Sequence, residues 1–251
     1  MTDAQNLAVA PEELRVLLWD IDGTLLRSAR VGAFRDYTAP VLESLFGTSG
    51  RLNELTVSGM TDLQIVAEAL RNEGFTPEHV RERVAEIRAR FMAEMERVAA
   101  TATADAPLFR RLPGAHEILT RVAAHPRYLS SLLTGNLEPA ARLKLRLVGL
   151  DAFFRRLPGS FGDDSHDRRD LPALAAARIN QHLRLNLRPT QFIIIGDTPN
   201  DIACAKHFGA RSVAVCTGRY DTAATLAPHD PDAILQDLTD TAAVLRTFDS
   251  L

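Results

Sequence analysis

The chain of 251 residues has little cysteine: Cys204 and Cys216 are its two thiols, and their spacing is not that of a metal site. Both lie among apolar residues, so we expect them to be reduced and buried, as in a cytoplasmic protein. No apolar run approaches the roughly 20 residues of a membrane span. Residues 1–13 lack the basic start and long apolar run of a secretory signal, so we interpret them as a short mobile tail.

A strong excess of one charge is also missing. The 29 basic and 32 acidic residues give a formal net charge of −3 at pH 7. Nucleic-acid binding usually needs a clustered basic face, so the sequence predicts neither a nucleic-acid nor a membrane partner. The 46% of hydrophobic residues are enough to form a sizeable core.

The sequence does contain an alternation of buried strands with helices. An apolar run over 14–19 predicts a first strand, and further strands are predicted after residue 113, at 128–134, 191–197, 212–216 and 233–238. Stretches of helical periodicity separate the later strands. This alternation is typical of an α/β protein with a doubly wound, parallel, Rossmann-like sheet.

Residues 28–104 interrupt this alternation, because they show helical periodicity and no strand signal. A first helix is predicted over 28–47, and Thr76 with Pro77 predicts the start of a long helix that continues to Val98. We therefore predict an all-helical cap domain at 28–112, inserted into a core that consists of residues 1–27 and 113–251.

Three of the predicted strands end in a reactive side chain, namely Asp20, Thr134 and Asp197. Parallel strands present these ends at one edge of the sheet, where open α/β sheets bind ligands. Asp22 can approach Asp20 only if the chain turns, and Gly23 permits such a turn. A simple Asp-Gly turn would also explain the stretch, but the coincidence of three strand ends favours a site.

Helix starts follow two of these strand ends. Thr134, Gly135 and Asn136 precede one helix, and Asp201 lies in the first turn of another. Free N–H groups at a helix start suit a phosphate, although helix capping would explain the same residues.

Four carboxylates are expected to gather at this edge: Asp20, Asp22, Asp197 and Asp201. Neighbouring carboxylates repel one another unless they are protonated or bridged by a cation. A hard divalent ion, most often Mg²⁺, would relieve the repulsion and would also neutralise an incoming phosphate.

These motifs resemble those of the haloacid dehalogenase-like hydrolase superfamily. Residues 20–25, Asp-Ile-Asp-Gly-Thr-Leu, match its DxDGT signature, and Thr134 with Gly135 resembles its second motif. Residues 196–201, Gly-Asp-Thr-Pro-Asn-Asp, resemble its fourth motif, GDxxxD. The helical insert resembles the cap of the phosphoglycolate phosphatase and β-phosphoglucomutase relatives.

The resemblance implies a role for each matched residue. Asp20 would be the nucleophile that forms an aspartyl-phosphate, and Asp22 would be the general acid and then the base. Thr134 and the Gly135 amide would hold phosphate oxygens. The implied Mg²⁺ ligands are a carboxylate oxygen of Asp20, the backbone carbonyl of Asp22, the carboxylate of Asp197 and, directly or through another ligand, Asp201.

The third motif is where this sequence departs from the family, which usually has a lysine before the helix that precedes the fourth motif. Residues 162–172 contain no lysine. Arg168 in this segment is the preferred replacement, because arginine can grip phosphate through two N–H groups. Lys144, in the helix after Thr134, and Arg169 are the alternatives. Arg168 and Arg169 could also be solvated charges paired with neighbouring aspartates.

Residues 58–62, Ser-Gly-Met-Thr-Asp, resemble the substrate-specificity loop of this subclass, although a capped turn between helices would also explain them. From this loop, Thr61 is the residue predicted to contact the substrate. The full set of predicted substrate-binding residues is Gly23, Thr24, Gly135, Asn136 and Thr61.

The sequence therefore predicts a Mg²⁺-dependent phosphatase that acts on a small phosphorylated metabolite through an aspartyl-phosphate. We expect a cytoplasmic protein that is a monomer or a homodimer. A phosphosugar mutase of the β-phosphoglucomutase type is the first alternative, and a non-catalytic binding protein on the same fold is a less favoured one.

Overall fold

A parallel sheet forms the centre of the molecule in the computed structural model, which describes residues 9–219 and 221–251. The strands are β1 (Arg15–Trp19), β2 (Leu26–Ser28), β3 (Phe109–Arg111), β4 (Tyr128–Leu132), β5 (Phe192–Gly196), β6 (Arg211–Val215) and β7 (Ala233–Leu235). Five of them pair in the order β4-β1-β5-β6-β7, and every pairing in this sheet is parallel. The predicted α/β class is confirmed.

The described residues form ten α-helices. They are α1 (Arg35–Phe46), α2 (Asp62–Leu70), α3 (Pro77–Glu82), α4 (Val84–Ala100), α5 (Ala115–Ala123), α6 (Glu138–Leu147), α7 (Leu171–Leu183), α8 (Pro199–Phe208), α9 (Ala223–Leu226) and α10 (Thr241–Asp249). Leu17 and Trp19 of β1 enter one apolar core, and Val16 and Leu18 enter another. Successive side chains of a strand point to opposite faces, so β1 is buried on both sides.

The register of β1 brings three strand ends level with one another. Trp19 pairs with Leu132 of β4 and with Ile195 of β5. Beyond these pairs, the Asp20 amide donates to the Ile195 carbonyl at 2.9 Å, and the Leu133 amide donates to the Trp19 carbonyl at 2.9 Å. The residues that follow β1, β4 and β5 therefore share one edge of the sheet, as the alternation of strands and helices predicts.

The helices α1 to α4 lie between β2 and β3 and form a helical segment beside the sheet edge. The rings of Tyr37 in α1 and Phe91 in α4 pack edge to face, with centroids 5.3 Å apart. The boundaries of a cap domain at 28–112 stay a prediction, because they describe a folding unit rather than a set of contacts.

The main features missed by the sequence analysis lie at the two ends of this segment and at a break within it. β2 and β3 pair antiparallel, with Arg27 opposite Arg110. This pair joins the two places where the chain enters and leaves the helical segment. α1 begins at Arg35 rather than at residue 28, because Gly32 turns the backbone at φ +75°. The long helix predicted from Thr76 is two helices that break at Arg83.

The sequence also predicted the state of the two thiols and of the first residues of the chain. Cys204 and Cys216 are both free, as expected. Cys204 is buried, but Cys216 is partly exposed, so the expectation of two buried thiols is wrong for Cys216. Residues 1–8 of the expected mobile tail lie outside the described residues. In the ranges 9–219 and 221–251, no helix combines the length and the apolar character needed to cross a bilayer.

Candidate active site

The site begins where β1 gives way to a tight turn. Asp20 follows the last strand residue, and Gly23 turns the chain back with φ +92° while its amide donates to the Leu26 carbonyl at 2.8 Å. A Cβ at Gly23 would clash with the carboxylate of Asp197. The position therefore requires glycine both for its left-handed backbone and for the close approach of Asp197.

Three buried carboxylates form a cluster at this edge. One oxygen from each of Asp20, Asp197 and Asp201 lies within 4.8 Å of the others. Burial raises the pKa of Asp20 to about 7, and it raises that of Asp197 well above its usual range with help from Asp20 and Asp201. The cause is that a charged carboxylate loses its hydration here, next to like charges.

A single guanidinium joins two members of this cluster. Arg168 Nη2 lies 3.1 Å from Asp20 Oδ1 and 2.5 Å from Asp201 Oδ1. Arg168 stands just before α7, in the segment where the family usually has its lysine. Asp201 is held in turn by Thr198, whose amide donates to Asp201 Oδ2 at 3.0 Å and whose hydroxyl donates to it at 2.6 Å.

The cluster fits a hard divalent cation. Its donors are carboxylate oxygens, which Mg²⁺ and Ca²⁺ prefer. Burial, and then the neighbouring like charges, raise the pKa values of Asp20 and Asp197, and a bound cation would offset both effects. The hydroxyl of Thr24, buried behind the turn, donates to Asp197 Oδ1 at 3.4 Å. The identity of the metal stays a prediction.

The carboxylate of Asp22 does not join this cluster, which corrects the expectation of four converging carboxylates. Its Oδ2 lies 2.6 Å from Lys144 Nζ and accepts a hydrogen bond of 2.7 Å from Asn136 Nδ2. Asn136 also donates to Thr134 Oγ1 at 2.8 Å and accepts from Lys144 at 2.5 Å. The two aspartates of the DxD motif therefore have separate partners.

Lys144 stays charged although only 5% of it is exposed. Burial alone would lower the pKa of its ammonium, but the nearby acidic groups of Asp22, Tyr37 and Asp62 outweigh that effect and raise it. Because Lys144 belongs to α6 and Arg168 precedes α7, the two cations approach the site from different elements.

The alternatives for the third-motif cation are thereby separated by geometry. Arg168 contacts Asp20, whereas Lys144 contacts Asp22. Arg169 pairs with Asp167 at 2.6 Å on the surface, so the reading as a solvated charge holds for Arg169 and is wrong for Arg168.

A cavity of about 170 Å³ opens between the sheet edge and the helical segment. Its polar end includes Asp20, Asp22, Thr134, Gly135, Asn136, Lys144 and Arg168. The apolar part of its lining comes from the helical segment, with Phe34, Tyr37, Val57, Met60, Ile65 and Phe91.

The segment 58–62 rests directly on the second motif. The Asp62 amide donates to the Gly135 carbonyl at 2.7 Å, and the Asp62 carboxylate accepts from the Leu137 amide at 2.8 Å. A Cβ at Gly135 would clash with the Met60 carbonyl. This close approach needs glycine at position 135, independently of any phosphate.

Asp62 lies in the predicted specificity loop at 58–62, but the sequence analysis gave it no role of its own. It lines the cavity, and burial raises its pKa to about 6 although Lys144 opposes the shift. An acid directly after a capping threonine is the pattern of an ordinary helix start, so the sequence alone gave no sign that Asp62 faces a cavity.

Thr61 occupies a different position from the one predicted. Its hydroxyl accepts from the Gln64 amide at 3.1 Å, which caps α2, and donates to the His166 carbonyl at 3.3 Å. It does not line the cavity described above, and its hydrogen bonds are used within the protein. A substrate contact by Thr61 therefore has no support in this geometry.

The comparisons with known proteins agree with this arrangement. A family model described as haloacid dehalogenase-like hydrolase matches residues 17–206, and one described as HAD-hydrolase-like matches residues 172–241. The chain belongs to the haloacid dehalogenase-like hydrolase family. The matched region contains the three motifs and both buried cations. The predicted family and an enzyme of its phosphatase type are confirmed.

Individual relatives cover nearly the whole chain. A phosphoglycolate phosphatase of Pectobacterium atrosepticum is 29% identical over 227 residues, which are 90% of each chain. The structure of a predicted phosphoglycolate phosphatase from Haemophilus somnus has a TM-score of 0.62 at 18% identity and covers 93% of this chain and 98% of its own. That of a β-phosphoglucomutase from Clostridium difficile has a TM-score of 0.65 at 14% identity and covers 94% of this chain and 98% of its own. These structural likenesses show a shared fold.

Proposed function

We propose that this family member is a Mg²⁺-dependent phosphatase of a small phosphorylated metabolite, with Asp20 as the nucleophile. The observation that carries the proposal is the separation of the two aspartates of one turn. Asp20 lies in the carboxylate cluster with Arg168, and Asp22 lies against Lys144 and Asn136. Such a pair of environments suits one carboxylate that attacks and another that transfers protons.

In the first step, a carboxylate oxygen of Asp20 forms a bond to phosphorus, and the bond from phosphorus to the leaving oxygen breaks. Asp22 gives its proton to that oxygen, so an alcohol departs and an aspartyl-phosphate remains. In the second step, Asp22 takes a proton from a water molecule that attacks phosphorus. Inorganic phosphate leaves, and the carboxylate of Asp20 is restored.

The phosphoryl oxygens would be held at the polar end of the cavity. The Thr134 hydroxyl and the Gly135 amide follow β4 at this point, and Arg168 lines the same cavity. The Nε atom of Arg168 is buried without a hydrogen-bond partner, which supports a missing acceptor on the substrate. Donors placed in advance around a developing charge are a large source of catalytic rate.

A Mg²⁺ ion would be held by Asp20, the backbone carbonyl of Asp22 and Asp197, with Asp201 as a further ligand or as a support through Arg168. When bound, the ion supplies charge that neutralises the carboxylates and the phosphate. The protein supplies the carboxylate donors, and burial raises the pKa values of two of them, Asp20 and Asp197.

Residues 28–112 would act as a cap that closes over the core, which comprises 1–27 and 113–251. The hydrogen bonds of Asp62 to Gly135 and Leu137 support this role, because they seat the helical segment on the phosphate end of the cavity. Closure would exclude bulk water from the aspartyl-phosphate. The small cavity supports a small metabolite as the substrate.

Turnover of p-nitrophenyl phosphate with Mg²⁺ tests the proposal. We expect activity in the wild type and in Asp105→Asn, an exposed control, and none in Asp20→Asn. Activity that persists in Asp20→Asn would overturn the assignment of the nucleophile. Absence of activity in the wild type, here and across a panel of phosphorylated metabolites, would contradict the phosphatase.

A phosphosugar mutase would show itself in the products of the same panel. Incubation with a hexose 1-phosphate should release inorganic phosphate if the chain is a phosphatase. Formation of hexose 6-phosphate would favour a mutase instead. A cytoplasmic location and a monomeric or homodimeric state belong to this proposal as well, and size-exclusion chromatography with light scattering would measure the latter.

A further inference from the structure

We propose that a second cavity, beside Asp22, binds a distal anionic group of the substrate, either a carboxylate or a second phosphate. We call it the arginine recess, and its defining residues are Arg27, Arg35 and Arg219. The inference rests on the proposed function, because it assigns the far end of the molecule whose phosphate is attacked by Asp20.

The arginine recess adjoins the cavity of the active site. Its volume is about 410 Å³, and it shares five lining residues with the first cavity: Asp22, Ser28, Phe34, Val57 and Ser58. Asp22 is the proposed proton donor to the leaving group. A substrate with its phosphate at Asp20 can therefore extend past Asp22 into the recess.

Each of the three guanidinium groups is oriented by a backbone carbonyl. Arg27 Nη2 donates to Thr217 at 2.8 Å, and Arg219 Nη2 donates to Ser28 at 2.8 Å. Arg35 Nη2 donates to the Asn53 carbonyl at 3.3 Å. A carbonyl fixes a guanidinium in place but does not cancel its charge, and further N–H groups remain on each side chain.

These three charges have no acidic partner in the described part of the chain, where none of them forms an ion pair. The Nε atoms of Arg27 and Arg35 are also buried without a hydrogen-bond partner. Buried donors are ordinarily satisfied, so an acceptor from a ligand would complete them.

The acids on the recess wall are occupied elsewhere. Asp22 is paired with Lys144, and Glu54 lies 3.8 Å from Arg51. Asp197 belongs to the carboxylate cluster. The recess therefore presents uncompensated positive charge, which favours an anion.

The recess also bridges the two parts of the molecule. Arg27 lies on β2, and Arg219 follows β6, whereas Arg35 begins α1 of the helical segment. An anion bound by all three would connect the core to the helical segment beside the β2–β3 pair. Substrates with a distal charge would then favour the closed arrangement that the catalytic steps require.

Isothermal titration calorimetry with non-hydrolysable phosphonates, in the presence of Mg²⁺, tests the proposal without turnover. The probes are propylphosphonate, 3-phosphonopropionate and propane-1,3-bisphosphonate, with analogues one carbon shorter and longer. We expect a doubly anionic probe to bind at least about tenfold more tightly than its neutral-ended counterpart. The preference between carboxylate and bisphosphonate identifies the group.

Variants locate the effect. Arg27→Gln and the more exposed Arg219→Gln should each reduce this ratio at least about threefold. Arg30→Gln is the matched control, because Arg30 lines the same recess but is already paired with Asp36; it should leave the ratio unchanged. Thermal melts of each variant confirm folding.

Two outcomes would overturn the recess as an anion site: no preference for the charged probes at any length, including no binding at all, or a preference that neither Arg27→Gln nor Arg219→Gln reduces. Failure of the proposed function would be detected by a separate assay. It would appear as a wild type that does not hydrolyse p-nitrophenyl phosphate, whatever the calorimetry shows.

Discussion

The two buried cations of the site are equally hidden but have different neighbours. Arg168 is 6% exposed and contacts Asp20, which follows β1, and Asp201, which lies in the first turn of α8. Lys144 is 5% exposed and contacts Asp22 and Asn136. One cation therefore serves the carboxylate cluster, and the other serves the proposed acid–base group.

This difference indicates how one site can hold two aspartates with opposite tasks. A nucleophile must be held unprotonated, whereas an acid–base group must exchange a proton with substrate and water. The metal and Arg168 would act on the first, and the network of Lys144, Asn136 and Thr134 would orient the second. Because their contacts are separate, the surroundings of Asp20 and those of Asp22 can be perturbed independently.

The largest expected effect is that of Asp22→Asn, which should slow the second reaction step and spare the first. Asp22→Asn should still form the phosphorylated enzyme from p-nitrophenyl phosphate, because p-nitrophenolate leaves without a proton. Steady-state turnover should fall by roughly 10²- to 10⁴-fold, since no base activates the water. Rapid-quench measurement should show a burst of p-nitrophenolate equal to the enzyme concentration. A proportional loss of burst and steady state would mean that Asp22 does not act in the second step.

The next largest effect is expected from substitutions of the two buried cations, Arg168 and Lys144. Arg168→Ala should lower kcat by roughly 10²- to 10³-fold, because a donor to the phosphoryl group is lost. Arg168→Lys should recover most of that loss, since lysine is usual in the family at this segment. Lys144→Ala should instead slow the steady state more than the burst of p-nitrophenolate, because Lys144 contacts Asp22 whereas Arg168 contacts Asp20. An equal slowing of the burst in Arg168→Ala and Lys144→Ala would contradict separate roles for the two cations.

A smaller effect concerns stability in the absence of metal. Burial raises the pKa of Asp20 from an ordinary value near 4 to about 7, so the folded state binds more protons than the unfolded state in this window. Stability should therefore fall as the pH rises from about 4 to 7. Asp20→Asn should raise the free energy of unfolding at pH 8 by an amount on the order of 3 kcal/mol.

Denaturant unfolding of the metal-free protein at pH 5 and pH 8 measures this effect. Asp105→Asn is again the control, and added Mg²⁺ should remove much of the pH dependence in the wild type. A wild type that is more stable at pH 8 than at pH 5 without metal would count against a repulsive carboxylate cluster.

The smallest effect concerns the contact between the helical segment and the core. Asp62→Ala removes the acceptor for the Leu137 amide, so we expect KM to rise about three- to tenfold with a smaller change in kcat. Asp62→Asn keeps an acceptor and should lie closer to the wild type. Hydrogen exchange of the Leu137 amide provides a second readout, and protection that is unchanged in Asp62→Ala would remove Asp62 from this contact.

The edge of the sheet was predictable because its signals are local. Asp20, Thr134 and Asp197 each terminate a run of apolar residues, and the parallel order of strands brings such ends together. The turn at Gly23 was predictable for the same reason, since its positive φ follows from an Asp-Gly sequence after a strand. These local signals therefore predicted the place of the site, whereas the expected reaction came from the resemblance of the motifs to a known family.

The remaining parts depend on contacts between residues far apart in the chain. Arg27 and Thr217 are 190 positions apart, and Asp62 and Leu137 are 75 positions apart. No periodicity records such pairs, so the arginine recess and the role of Asp62 required the structure. Lys144 was in the predicted set, but its partner Asp22 depends on which face of α6 is turned inwards.

The most direct test of the account is whether phosphate is carried on Asp20. Wild-type protein should be mixed with ³²P-labelled p-nitrophenyl phosphate and Mg²⁺, quenched in acid within milliseconds and digested. We predict label that hydroxylamine releases, on the peptide that contains Asp20, with none in Asp20→Asn and an increased amount in Asp22→Asn. Turnover without any labelled protein, or label that persists in Asp20→Asn, would contradict a mechanism in which Asp20 attacks and Asp22 transfers the protons.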